Sequence, residues 1–326
     1  MKAFLIFILS FIQITSVLGQ LQPDNGFIHK TEAKNIFKNG LKEDKWIEYF
    51  DTIPNSFIQS HYELTFYKAG KPDGTVRIYY PNEIINKEIF YINGIKNGVT
   101  KEYTSDGKLQ SEIPYSNDTK NGLVKEYYRN GKLSGETSYT NGALNGGYKK
   151  YFGNGKTEYE AIYKDDKLNG LEKRYFENGK LREETFYTNG EKNGTEKFYY
   201  ESGKLYSESK YDNDSLNGVI KCYFESGKIF WEIPYTRGKE NGVKKGFYEN
   251  GLLNTETPYT NGKKNGAYKE YFEDGKLFWE IPYTNGVENG MEKEYYMNGK
   301  LKVEMFYTNG IKEITKNYDQ SGKEIK

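Results

Sequence analysis

Apolar residues in this chain come in two short runs per 24 residues, set apart by polar stretches that carry glycine. One run is typified by AYKEYFE at 267–273, the other by LFWEIPY at 277–283. Both are rich in aromatic and β-favouring residues, and no 3.6-residue apolar stripe of a helix runs through them. Two or three glycines in each 24 residues would each cost a helix about 1 kcal/mol. Between the runs stands Asn-Gly, Asp-Gly or Ser-Gly, as at Asp274-Gly275 and Asn298-Gly299, the strongest short hairpin signal. The other junction, YTNGKKNG at 259–266, holds two further glycine turns, so the chain reverses again. The pattern predicts an all-β protein: an elongated array of stacked antiparallel β-hairpins forming a single twisted sheet or trough.

Tyrosine marks the period, from Tyr67 through Tyr91 to Tyr307, with no insertion. Counting that tyrosine as position 0, glycine holds position 7 from Gly74 to Gly290, and glutamate holds position 21 from Glu88 to Glu304. Position 10 is Arg77 in the first repeat and lysine from Lys101 to Lys293. A two-residue type I′ turn at Asp274-Gly275 would set Lys269 opposite Glu280. A three-residue turn with a G1 bulge would shift that register by one and exchange the faces. The Lys and Glu ladders read as a solvated face that enforces register. The expected organisation is a leader at 1–19, an N-terminal cap with a decayed repeat at 20–66, ten repeats over 67–307, and a capping partial repeat at 308–326. In the decayed repeat, Phe37, Gly40 and Tyr49 match positions 0, 3 and 12.

Composition narrows the function. Apolar residues are 36% and aromatics 17%, with 32 tyrosines. That suits a thin structure whose rings are covered while their hydroxyls stay wet. A net charge of +1 gives no reason to expect nucleic acid or an anionic membrane as partner. MKAFLIFILSFIQITSVLGQ opens the chain. It has the charged start, apolar stretch and small-residue site of an export signal, with cleavage expected after Gly19. No later segment is apolar enough for a membrane helix, so no span is expected once the leader is removed. Cys222 stands alone and can form no internal disulfide.

Candidate chemistry is sparse. His29 and His61 are the two histidines, both before the repeats, and no zinc-ligand spacing occurs. Glutamate at position 21 recurs too often to be a catalytic singleton. Asp118, Asp166 and Asp214 replace the glycine of position 3. Calcium is one reading of those loops; tolerance of left-handed backbone is the other. The remaining outliers are Phe230, Trp231, Phe278 and Trp279, where other repeats carry pairs such as Arg182-Glu183. Adjacent strand residues point to opposite faces, so one aromatic of each pair is expected on the more open side. The four form a candidate binding patch; the competing reading is packing against the tyrosines.

The pattern in YINGIKNGVTKEYTSDGKL at 91–109 and YTNGKKNGAYKEYFEDGKL at 259–277 resembles the bacterial variant of the MORN repeat over about 67–323. The resemblance implies stacked β-hairpins and a scaffold for protein or lipid interaction. Proteins of this variant are often labelled YwqK-type antitoxins. Residues and resemblance together lead to the expectation of an exported, non-enzymatic scaffold with no cofactor and no metal. It would bind a protein or glycan at the cell envelope or outside the cell. The alternatives are an antitoxin or immunity-type protein and, more distantly, a carbohydrate-active enzyme.

Overall fold

The computed structural model describes residues 26–50 and 61–325. The expected leader at 1–19 lies outside them. The described residues form two compact units, divided between Lys120 and Asn121. Each is an open antiparallel sheet of hairpins laid down in chain order, with no α-helix among the described residues.

One repeat of the second unit shows the common plan. Its first strand is Lys263–Lys264 and Gly266–Tyr271, and its second is Leu277–Thr284. The first strand is broken in two for a reason visible in the register. Tyr259 faces Lys264 while Glu256 faces Lys269, so Asn265 and Gly266 bulge out as two extra residues. Gly266 sits at φ +126°, and a Cβ there would stand 3.0 Å from Pro258. Backbone conformation and space therefore both demand glycine. The same left-handed region recurs at position 7 from Gly74 (φ +112°) to Gly290 (φ +122°).

Lys269 does face Glu280, as expected, but the turn that brings this about differs from the expectation. Phe272 N–H donates to Lys276 O, and Gly275 N–H donates to Phe272 O, both at 2.8 Å. With Gly275 at φ +86° and Asp274 not in the left-handed region, this is a three-residue turn closed by a G1 glycine. Such a turn alone would shift the register. A second irregularity offsets it. Tyr271 faces Leu277 but Glu270 faces Trp279, so Phe278 is an extra residue on the returning strand. The two-residue type I′ turns lie at the other junction, where Asn261 (φ +52°) and Gly262 (φ +83°) link Thr260 to Lys263. Asp118, Asp166 and Asp214 take φ of +61° to +64° in those turns, standing where glycine stands elsewhere.

The units differ inside. The first has a small apolar core of Phe27, Tyr62, Leu64 and Tyr79, edged by Ala33, Ile47 and Ile85. Tyr62 and Tyr79 stack at 4.7 Å. In the second unit the buried positions are scattered along one face and mostly polar, among them Glu172, Thr185, Glu196, Ser209, Thr257 and Glu292.

Candidate binding site on the tyrosine face

Strand alternation gives each repeat two faces. One carries positions 8, 10, 12, 21 and 23. The other carries positions 9, 11, 20, 22 and the period-marking tyrosine. On the first face the recurring side chains are spent on joining neighbours. Tyr103 OH donates to Glu88 Oε2 at 2.8 Å, Tyr223 OH to Glu208 Oε1 at 2.8 Å and Tyr271 OH to Glu256 Oε1 at 2.7 Å. Each bond ties position 12 to the preceding repeat's position 21. Burial and the carboxylate partner push the Tyr103 and Tyr223 phenols up to about 12. Lys269 Nζ lies between two carboxylates, 3.7 Å from Glu256 and 4.0 Å from Glu280. The glutamate ladder is therefore a half-buried joint between repeats, where a solvated face enforcing register was expected.

The turns are fastened from repeat to repeat as well. Asn250 Nδ2 donates to Glu273 O at 3.0 Å, and Lys276 Nζ donates to Met297 O at 3.2 Å. Asp118 Oδ1 accepts Lys96 N–H at 2.7 Å and Asp214 Oδ1 accepts Lys192 N–H at 2.7 Å. These aspartates cap backbone of the preceding repeat, which accounts for them without calcium. Among the described residues no group of three or more His, Cys, Asp or Glu side chains could hold a metal.

Side chains that vary from repeat to repeat are left to make a site. On the tyrosine face one row crosses five strands in register: Trp231 faces Gly246, Gly246 faces Thr255, Thr255 faces Glu270, and Glu270 faces Trp279. Four inter-strand steps separate the tryptophans by about 19 Å. Trp231 leans over Gly246, where a Cβ would stand 3.0 Å from the indole and 2.7 Å from Thr255 Oγ1. Lys244 Nζ lies 4.8 Å from the Trp231 ring centre. Thr255 Oγ1 is the one buried side-chain polar atom among the described residues with no hydrogen-bond partner. Trp279 Nε1 donates to Glu292 Oε1 at 2.8 Å, and burial holds that carboxyl above its ordinary range.

Phe278 does not project opposite to Trp279 as simple alternation would have it. The bulge at Phe278 brings its ring within 6.2 Å of Trp279 and 4.9 Å of Phe272. Phe230 lies 5.0 Å from Phe224 and 6.1 Å from Tyr206, which in turn meets Tyr200 at 5.1 Å. All four candidates are half-buried. Sequence reasoning missed Tyr206, Phe224, Lys244, Gly246 and Phe272. Tyr206 shared a repeat position with Phe230 and Phe278 and was there to be found. Gly246 was hidden because a glycine among charged counterparts looks like decay. Cys222 faces Trp231, and burial pushes its thiol up, which disfavours the reactive thiolate. His61 packs on Tyr80 at 5.6 Å in the first unit.

The hairpin array and its joints define a β-repeat protein whose repeats cohere through tyrosine, glutamate and turn asparagine. Seven segments match the MORN repeat variant: 72–93, 96–117, 120–141, 168–189, 192–213, 264–285 and 288–309. The chain thus carries repeats of the MORN variant. No curated protein matches it. The matched segments pass over 142–167 and 214–263, yet both stretches keep the register, with Gly146 and Gly242 left-handed as elsewhere. Trp231, Lys244, Gly246 and Thr255 all fall in the second stretch.

Proposed function

We propose that the protein is an exported, non-enzymatic scaffold that binds a protein or a glycan through the tyrosine face of its second unit. The observation that carries this reading is the division of labour among side chains. Recurring residues are committed to repeat joints, whereas the row from Trp231 to Trp279 consists of residues free to differ. Aromatic anchors set among small polar side chains are the make-up of a recognition surface. Export is supported by the leader-like sequence at 1–19, and N-terminal sequencing of the mature protein tests it, with Gln20 expected first. Binding is tested by affinity capture from the cell-envelope fraction, comparing the native chain with Trp231→Ala plus Trp279→Ala. Loss of capture with the fold intact supports the reading. Capture unchanged by the double substitution sinks it.

A further inference from the structure

Resting on that reading, we infer that the ligand class is a neutral, linear glycan lying across the strands between the two tryptophans. The site has aromatic ends and a small polar floor. At one end Trp231 lies over Gly246, and its chain neighbour Phe230 packs on Phe224; at the other, Phe272, Phe278 and Trp279 gather. Between them the floor is Lys244, Gly246, Thr255 and Glu270. Gly246, next to Trp231 in the row, removes a side chain and lets the indole lie over the backbone beside Thr255. Sugar rings present apolar C–H faces that lie against indole and phenyl rings, and hydroxyls that both donate and accept.

Charge favours a neutral ligand. The floor holds one cation and one anion, Lys244 and Glu270, and the chain's net charge is +1, so neither an acidic nor a basic polymer is selected. Pairing disfavours a peptide added as a strand. Each strand of the row is hydrogen-bonded on both sides, so no backbone edge is open there. The Thr255 hydroxyl adds a demand of its own. It is buried and unpaired beside the Trp231 indole, a costly state for a hydroxyl. A sugar hydroxyl that displaces the indole would satisfy it. A ligand that reaches this hydroxyl would displace Trp231, and tryptophan fluorescence would report it.

The experiment titrates the full-length mature protein with cello-, xylo- and malto-oligosaccharides from two to six units, following tryptophan fluorescence and calorimetry. One series should bind, with affinity rising with length until both aromatic ends are spanned. Trp231→Ala and Trp279→Ala should each weaken the longest ligand about tenfold, roughly the loss of one aromatic anchor. Thr255→Val should weaken binding several-fold while leaving the melting temperature unchanged or higher. Trp231→Phe should abolish most of the fluorescence change and retain calorimetric binding. Absence of binding to every series at millimolar concentration, with native circular dichroism, overturns the glycan assignment. If a proline-rich peptide binds instead and is lost in the tryptophan variants, the site stands and the glycan class falls. Envelope capture that survives both tryptophan substitutions overturns the site itself.

Discussion

The chain writes nearly the same octapeptide twice, IFWEIPYT at Ile229–Thr236 and LFWEIPYT at Leu277–Thr284, and the two copies meet different neighbours. Trp231 faces Gly246, with Lys244 beside its ring. Trp279 faces Glu294 and donates its N–H to Glu292. A glycine and a cation in one following repeat become two glutamates in the other. One indole is therefore laid over bare backbone, while the other is held by a carboxylate. In a stacked array a side chain's role is set by the next repeat as much as by its own.

What both copies share should break first. Tyr223 and Tyr271 each donate to a glutamate of the preceding repeat, and the Tyr223 phenol is raised to about 12 from an ordinary value near 10. A raised phenol contributes stability that is complete below about pH 10 and lost as pH climbs through about 12. Many such tyrosines act together. The urea midpoint should therefore hold from pH 7 to 9.5 and collapse by pH 12, in step with phenolate absorbance; a flat midpoint would remove the ladder from the stability argument. Next, Gly266→Val, in the frame beneath the second octapeptide, should cost about 3 kcal/mol, because left-handed backbone and the nearby Pro258 ring both resist a β-branched side chain. Lys263→Ala should stay within about 0.5 kcal/mol. Equal melting temperatures for the two variants would contradict the turn assignment.

Gly246→Glu imposes the second context on the first. It should cost about 2 kcal/mol from crowding against Thr255 and Trp231, and should shift Trp231 emission to the red as the indole is driven off the sheet. Glu292→Gln should cost about 1 kcal/mol through the Trp279 bond and leave Trp231 emission untouched. Lys244→Ala should be the mildest, about 0.5 kcal/mol for a half-exposed cation–π contact. Should Lys244→Ala destabilise more than Glu292→Gln in chemical denaturation, the ranking of the two contexts is inverted.

The repeat, the strands and the pairing of Lys269 with Glu280 were legible because the chain compares itself with itself over ten periods. The turns were not. A period such as 259–282 holds three Asn-Gly-like dipeptides, and nothing local says which closes a two-residue turn, which a three-residue one and which forms a bulge. Asn261-Gly262 took the first role and Asp274-Gly275 the second. The register came out as expected although its route did not, since the extra residue at the turn is matched by the extra residue at Phe278. That compensation is invisible in an apolar–polar pattern, and it is why Phe278 and Trp279 share a side. The left-handed aspartates were legible, because few residue types tolerate that backbone. Gly246 was not: its meaning lies in an indole 15 residues earlier in the chain.

The bulges have a consequence for how such a chain can change length. Where Leu301–Thr308 pairs with Ile311–Tyr318, Lys316 stands opposite Glu304 only 12 residues on, one fewer than the 13 from Glu256 to Lys269. There the register slips by one residue, between Phe306–Ile314 and Tyr307–Lys312, instead of by two. A lost residue has been absorbed by a smaller kink, with the lysine still facing its glutamate and Tyr318 OH still donating to Glu304 at 2.9 Å. Each hairpin thus holds slack of its own, and a deletion can be taken up where it occurs without turning over the strands that follow.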